Sequence, residues 1–130
     1  MAYEFSNYSV KITLVAGADL SALQYNFVKL NSSGQAIAIA AATDVPVGVL
    51  QNAPLSGQEA EVLIVGGTKI VAGAAITLPS AIGTGSTGKA VALATTDTTK
   101  YVVGSLISAS GADGNVVTAV VNCANATRAN

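Results

Sequence analysis

The stretch Gly83-Thr84-Gly85-Ser86-Thr87-Gly88-Lys89 has the composition of a phosphate cradle. Glycines let backbone N–H groups close around a phosphate, and a lysine adds positive charge. Two features argue against that chemistry. The residue after the lysine is Ala90, so the hydroxyl that would hold magnesium is missing. The segment that follows, Ala90-Val91-Ala92-Leu93-Ala94, has a strand-like composition. A phosphate loop instead opens a helix, whose N-terminus holds the anion. The stretch therefore reads as a flexible hairpin loop.

Other chemistry is poorly supplied. The chain has no histidine, so no Ser-His or Cys-His pair can form. Its seven acids are Glu4, Asp19, Asp44, Glu59, Glu61, Asp97 and Asp113. Asp44, Asp97 and Asp113 sit in turn-like contexts. Glu59 and Glu61 would share one face of a strand over residues 58–65, which suggests a carboxylate pair. A solvated strand face explains them better. Cys123 is the only cysteine, too few for a disulfide or a thiolate metal site. With Val120 and Val121 before it, it reads as a small buried side chain. The expectation is no catalytic residue, no cofactor and no metal site.

The composition points to assembly. Charged residues make up 10% of the chain, against about 25% in an average soluble domain. Hydrophobic residues make up 51%, much of it Ala and Val, so the surface must be bland and apolar. Such a surface is reasonable when much of it is covered by other copies or another protein. The formal net charge is -1 and the six basic residues are scattered, which excludes an electrostatic nucleic-acid face. No apolar run reaches the ~20 residues of a membrane helix. The first residues lack the basic and apolar regions of a signal peptide. The reading expects no membrane and synthesis in a cytoplasm.

The elements that must position these residues are strands. Short Val- and Ile-rich runs are separated by Gly, Pro, Asn, Asp and Ser. Val10, Ile12 and Leu14 alternate with Lys11 and Thr13, as in a half-buried strand. Further strands are expected over 25–30, through Ile37 and Ile39, and over 47–50, 61–65, 69–72, 90–94, 101–107 and 115–122. Asp113-Gly114 is a hairpin turn signal. The Ala-rich residues 36–42 have helix propensity, but Ile37 and Ile39 recur at period two between Gly34 and Pro46. Only Ser21-Ala22-Leu23 and Pro79-Ser80-Ala81 are compatible with a short helix.

An internal repeat organises the chain. Val15-Ala16-Gly17-Ala18 recurs as Val71-Ala72-Gly73-Ala74, and Gly34-Gln35-Ala36-Ile37-Ala38 as Gly88-Lys89-Ala90-Val91-Ala92. Thr43-Asp44 matches Thr96-Asp97, and Val47-Gly48 with Leu50 matches Val103-Gly104 with Leu106. Ser56-Gly57 with Val62 matches Ser110-Gly111 with Val116. The spacing is about 55 residues. One unit of that size cannot bury its own apolar face well. Two units packed with pseudo-two-fold symmetry can close a small barrel and remove exposed edges. The expectation is one all-β domain over residues 10–123, with repeats at about 15–65 and 71–121. An N-terminal arm, residues 1–9, precedes it and a polar tail, residues 124–130, follows. The arm holds Tyr3, Phe5 and Tyr8, half of the six aromatics. Aromatics on a terminal extension suit docking onto another protein.

Residues 43–54, Thr-Asp-Val-Pro-Val-Gly-Val-Leu-Gln-Asn-Ala-Pro, are followed by Gly57-Gln58-Glu59-Ala60-Glu61-Val62 and the segment 69–75. Together these resemble the small decoration (cement) proteins of tailed-bacteriophage capsids. The resemblance runs from about Ala18 to Val121, and its core segment is 44–62. It implies a closed or partly open β-barrel of the β-tulip or β-clip kind, without enzymatic activity. It implies a place on the outside of the virion head, between capsomers, where the protein stabilises the shell. The implied partners are the major capsid protein and the chain itself, as a homotrimer or a dimer. In that setting Tyr3, Glu4, Phe5 and Tyr8 of the arm are the candidate capsid contacts. Rival readings are a tail or baseplate barrel and a carbohydrate-binding surface module, although the absence of Trp weakens the latter.

Overall fold

The computed structural model describes residues 9–94 and 96–128. The strands are β1 (Val10–Val15), β2 (Phe27–Leu30), β3 (Ala36–Ala38), β4 (Gly48–Leu50) and β5 (Glu59–Val71). They continue as β6 (Ala81–Thr84), β7 (Ala90–Ala92), β8 (Tyr101–Val102), β9 (Gly104–Leu106), β10 (Val116–Asn122) and β11 (Thr127–Arg128). Among the described residues the only helix is a 3-10 turn, Cys123–Asn125. The protein is all-β, as the sequence requires. Ser21 and Ala22 form a turn and Ala81 opens β6, so neither candidate helix forms.

Eight strands follow the antiparallel order β3-β2-β4-β5-β10-β9-β6-β7, and β1 adds to β5. The sheet curls into a half-barrel whose end strands, β3 and β7, do not pair, so of the two expected forms the partly open one is realised. β5 is the spine. It is one 13-residue strand where two were expected on either side of Gly66-Gly67. The strand continues because its N-terminal part pairs with β1 and β4 and its C-terminal part with β10. Gly66 marks the hand-over with a φ of 137, which only glycine adopts without strain. Gly48 and Gly104 hold equivalent places in β4 and β9. A Cβ on Gly48 would press on the Leu63 carbonyl, and one on Gly104 on the Val120 carbonyl.

The repeat is written in backbone hydrogen bonds. The Gly17 N–H donates to the Ala36 carbonyl at 2.8 Å, and Gly73 to Ala90 at 2.8 Å. Leu20 donates to Pro54 and Ile76 to Ser110, both at 2.9 Å. Val47 donates to Val28 at 2.8 Å and Val103 to Ile82 at 3.0 Å. Asp44 caps the N–H groups of Ala40 and Ala41, and Asp97 that of Ala94. One sequence match is corrected. Gly57 donates to Ala16 and Gly114 to Ala72, each at 2.8 Å, so Gly57 corresponds to Gly114 and not to Gly111. Asp113-Gly114 lies in a long β9–β10 connection, and β10 is shifted relative to the simple alignment.

Two apolar clusters result. The first-repeat cluster contains Ala16, Leu20, Val28, Ala36, Leu50, Ala60 and Val62. The other contains the second-repeat counterparts Ala72, Ile76, Ile82, Ala90, Leu106, Val117 and Ala119. It also takes Phe27, Ile39, Val49 and Leu63 from the first repeat. Alternation along β2 and β4 explains the split: Val28 and Leu50 face their own repeat while Phe27 and Val49 face the other. The two repeats therefore fold as one unit, but the covering is one-way. The counterparts of Phe27, Val49 and Leu63 are Ala81, Ser105 and Val120, and all three are exposed. A two-fold arrangement would bury both sets, so the expected pseudo-two-fold packing is replaced by a one-sided stacking of repeat on repeat.

Candidate functional site: exposed apolar surfaces

The four arm residues singled out from the sequence, Tyr3, Glu4, Phe5 and Tyr8, lie outside the described residues. The point from which the arm departs is visible. Ser9 packs on Gly66, and Val10 pairs with Val65 at the middle of β5. The arm thus starts beside the junction of the repeats.

The glycine-rich stretch is a hairpin turn. It connects β6 to β7, with Thr84 opposite Ala90. The Gly85 N–H donates to the Lys89 carbonyl at 2.8 Å, and Gly88 takes a φ of 87. The Gly88 carbonyl accepts the Phe27 N–H at 2.7 Å, and the Thr87 carbonyl accepts from the Asn26 amide at 3.4 Å. The loop ties the repeats together. Lys89 is used in a 3.0 Å ion pair with Asp113.

Glu59 and Glu61 are exposed on β5 opposite Val15 and Thr13, and Lys11 lies 3.4 Å from Glu61. They form a solvated strand face, not an enclosed carboxylate pair. Asp44 is better held. Its Oδ2 accepts from Lys29 Nζ at 2.9 Å and from two backbone N–H groups, and the Lys29 bond holds its carboxyl below the usual range. This arrangement braces the turn between β3 and β4. Cys123 is buried, and loss of hydration pushes its thiol up to about 12. Among the described residues no cluster of metal-binding type brings three acids or thiols together.

The larger surface features that remain are apolar. A notch of about 530 Å³ is lined by Leu30, Val45, Pro46, Val47, Ile64, Cys123 and Ala124. A groove of about 520 Å³ runs over the outer side of the second repeat, past Val65, Ala81, Val102, Ser105 and Val120. Val10, Ile12 and Val15 of β1, with Leu30, Val45, Val116 and Val120, are large apolar side chains left at least two-fifths exposed. A smaller, more polar hollow holds Tyr25, Gln51, Lys69 and Thr118. Tyr25 precedes β2 at a φ of 66, where its N–H donates to Leu50 and its carbonyl accepts from Val71. Lys69 Nζ sits 5.7 Å from its ring centroid, so a cation occupies the ring. Sequence reading placed Tyr25 inside a strand, and nothing local signals its left-handed backbone.

No family model matches this chain, and no curated protein matches it. Among solved structures it is similar to the crystal structure of the head fiber gp8.5 N base of bacteriophage phi29. The TM-score is 0.63 at 21% identity, over 88% of this chain and 95% of the other. The likeness establishes a shared fold that extends over almost all of both chains.

Proposed function

We propose that this protein is a non-enzymatic structural component of a bacteriophage head, a decoration protein on the outer surface of the mature shell. The observation that carries the reading is the near full-length fold match to the base of a phage head fiber. The sequence features agree with it: low charge, a bland apolar surface and no catalytic constellation. Copies, grouped as trimers, bridge major capsid subunits between capsomers. Their binding surface exists only on the expanded lattice, so the protein selects that state and raises its stability by mass action. Several weak contacts per oligomer add through effective concentration.

The arm supplies part of the contact, either by adding a strand to a capsid edge or by placing Tyr3 and Phe5 in a groove, with Glu4 and Tyr8 beside them. Density maps of mature heads with and without the protein test the reading. Added density between capsomers is expected, and purified virions lacking the polypeptide would end it. Deleting residues 1–9 should weaken head binding while circular dichroism stays unchanged. Unaltered binding by the truncated protein would remove the arm from the account.

A further inference from the structure

The two repeats differ in burial at matched positions, and the differences form a pattern. Where the first repeat covers the second, the covered rim is Thr68, Thr84 and Gly88. Thr68 is 6% exposed and Thr84 is 1% exposed. Their counterparts in the first repeat, by the strand and turn correspondences above, are Ile12, Leu30 and Gly34. Ile12 is 42% exposed and Leu30 is 46% exposed, and a Cβ on Gly34 would meet nothing within 4 Å. The covering surface shows the converse. Leu63 is 2% exposed while its counterpart Val120 is 43% exposed, and Phe27 and Val49 are buried while Ala81 and Ser105 are open.

Side-chain size is exchanged across the same positions. Inside the chain a covering face of large residues, Phe27, Val49 and Leu63, goes with a rim of small ones, Thr68, Thr84 and Gly88. On the outer surfaces the covering face is small, Ala81, Ser105 and Val120, and forms a groove. The free rim is large and apolar, with Ile12 and Leu30. A large rim over a small face fills the same space as a small rim under a large face. Isolated surface residues need no such complement, whereas two apolar faces left uncovered by one stacking step do.

We propose that a second copy of this chain completes both faces: the rim of one copy, Ile12 and Leu30, seats in the Ala81–Ser105–Val120 groove of the next. The contact continues the stacking of the internal repeats from chain to chain. It is head-to-tail, so copies associate through two different surfaces and close into a ring when the rotation permits. In the internal interface the Phe27 N–H meets the Gly88 carbonyl and the Gln51 amide meets Thr68 Oγ1 at 2.9 Å. The matching contacts between copies join Ala81 to Gly34 and Ile107 to Ile12. The inference rests on the proposed function for its grouping of copies and supplies the contact between them. Its failure would remove that grouping, whereas binding of single copies to heads is read separately by the density maps.

Light scattering on eluted protein tests it with two variants, Ile12→Arg on the rim and Val120→Arg on the groove. Wild type at up to about 1 mM, where even weak contacts are populated, is expected to show a discrete mass above the 12.8 kDa of one copy. Each variant alone is expected to be monomeric. An equimolar mixture of the two is expected to form a one-to-one complex, because each retains the surface the other has lost. Recovery in the mixture also shows that both variants are folded. Leu30→Lys and Ser105→Arg serve as second members of each pair if either first variant loses its cooperative unfolding. Monomeric wild type, variants that still assemble, or folded variants that stay monomeric when mixed would each overturn the proposal.

Discussion

Phe27 is the side chain on which the union of the two repeats most depends, and its removal has a calculable cost. The ring is fully buried in the second-repeat cluster although its strand belongs to the first repeat. Its N–H also holds the Gly88 turn. Phe27→Ala removes a large buried ring and leaves a cavity that β5 and the β6–β7 turn cannot collapse into without moving. Such truncations cost about 3–5 kcal/mol, against a total of about 5–15 kcal/mol for a domain. Urea unfolding should show the unfolding free energy lowered by that amount at unchanged slope, so the midpoint falls by the same energy divided by the slope. Protein concentration must be held fixed, because self-association adds to apparent stability. Leu55→Ala, at a position half exposed, is the control and should stay within about 0.5 kcal/mol. A Phe27→Ala loss below about 1 kcal/mol at unchanged slope would refute the claim that this ring joins the halves. Separate transitions reported by Tyr25 and Tyr101 in the wild type would refute the union of the two repeats.

Three further outcomes are expected. Asp44 has a depressed carboxyl pKa in the folded protein, so its contribution is present above the unfolded value of 3.8 and lost as pH falls through the lower folded value. Asp44→Asn should therefore lower stability at neutral pH and flatten the acid limb of a stability-versus-pH curve below about pH 4; an unchanged limb would contradict the assignment. The Cys123 thiol should resist alkylation at pH 8 in the native protein and react at once in denaturant, because burial keeps it protonated to about 12; fast native labelling would refute this. Gly48→Ala and Gly104→Ala should each destabilise by more than Gly34→Ala. The first two force a Cβ onto a neighbouring strand, whereas Gly34 has open space and carries only the cost of its positive φ, about 1 kcal/mol. Thermal unfolding of the three variants side by side checks the order.

Much of this protein is legible in one dimension. Period-two alternation of Val and Ile makes strands wherever it occurs, because side chains alternate faces whatever the tertiary context. The recurrence of Gly34 at Gly88, Asp44 at Asp97 and Val47 at Val103 carries two copies of one hydrogen-bonding scheme. The exclusion of a phosphate loop at 83–89 likewise needed only Ala90 and the residues after it. Other features have no local signal. β6 carries no such signal, because Ala81, Ile82, Gly83 and Thr84 show no alternation, and the strand exists only because β9 and β7 flank it. Gly66-Gly67 looked like a break, yet β5 runs through it because partners on both sides satisfy its backbone. β11 emerges from the polar tail only by pairing with β8.

Periodicity in the sequence determined which residues are apolar on which face. It could not determine which faces are covered. Phe27 and Ala81, Leu63 and Val120, Thr84 and Leu30 are matched pairs in sequence and opposites in burial. That difference arises because one repeat stacks on the other in a single direction. Burial is set by what lies across a face in space, and a linear pattern carries no record of it.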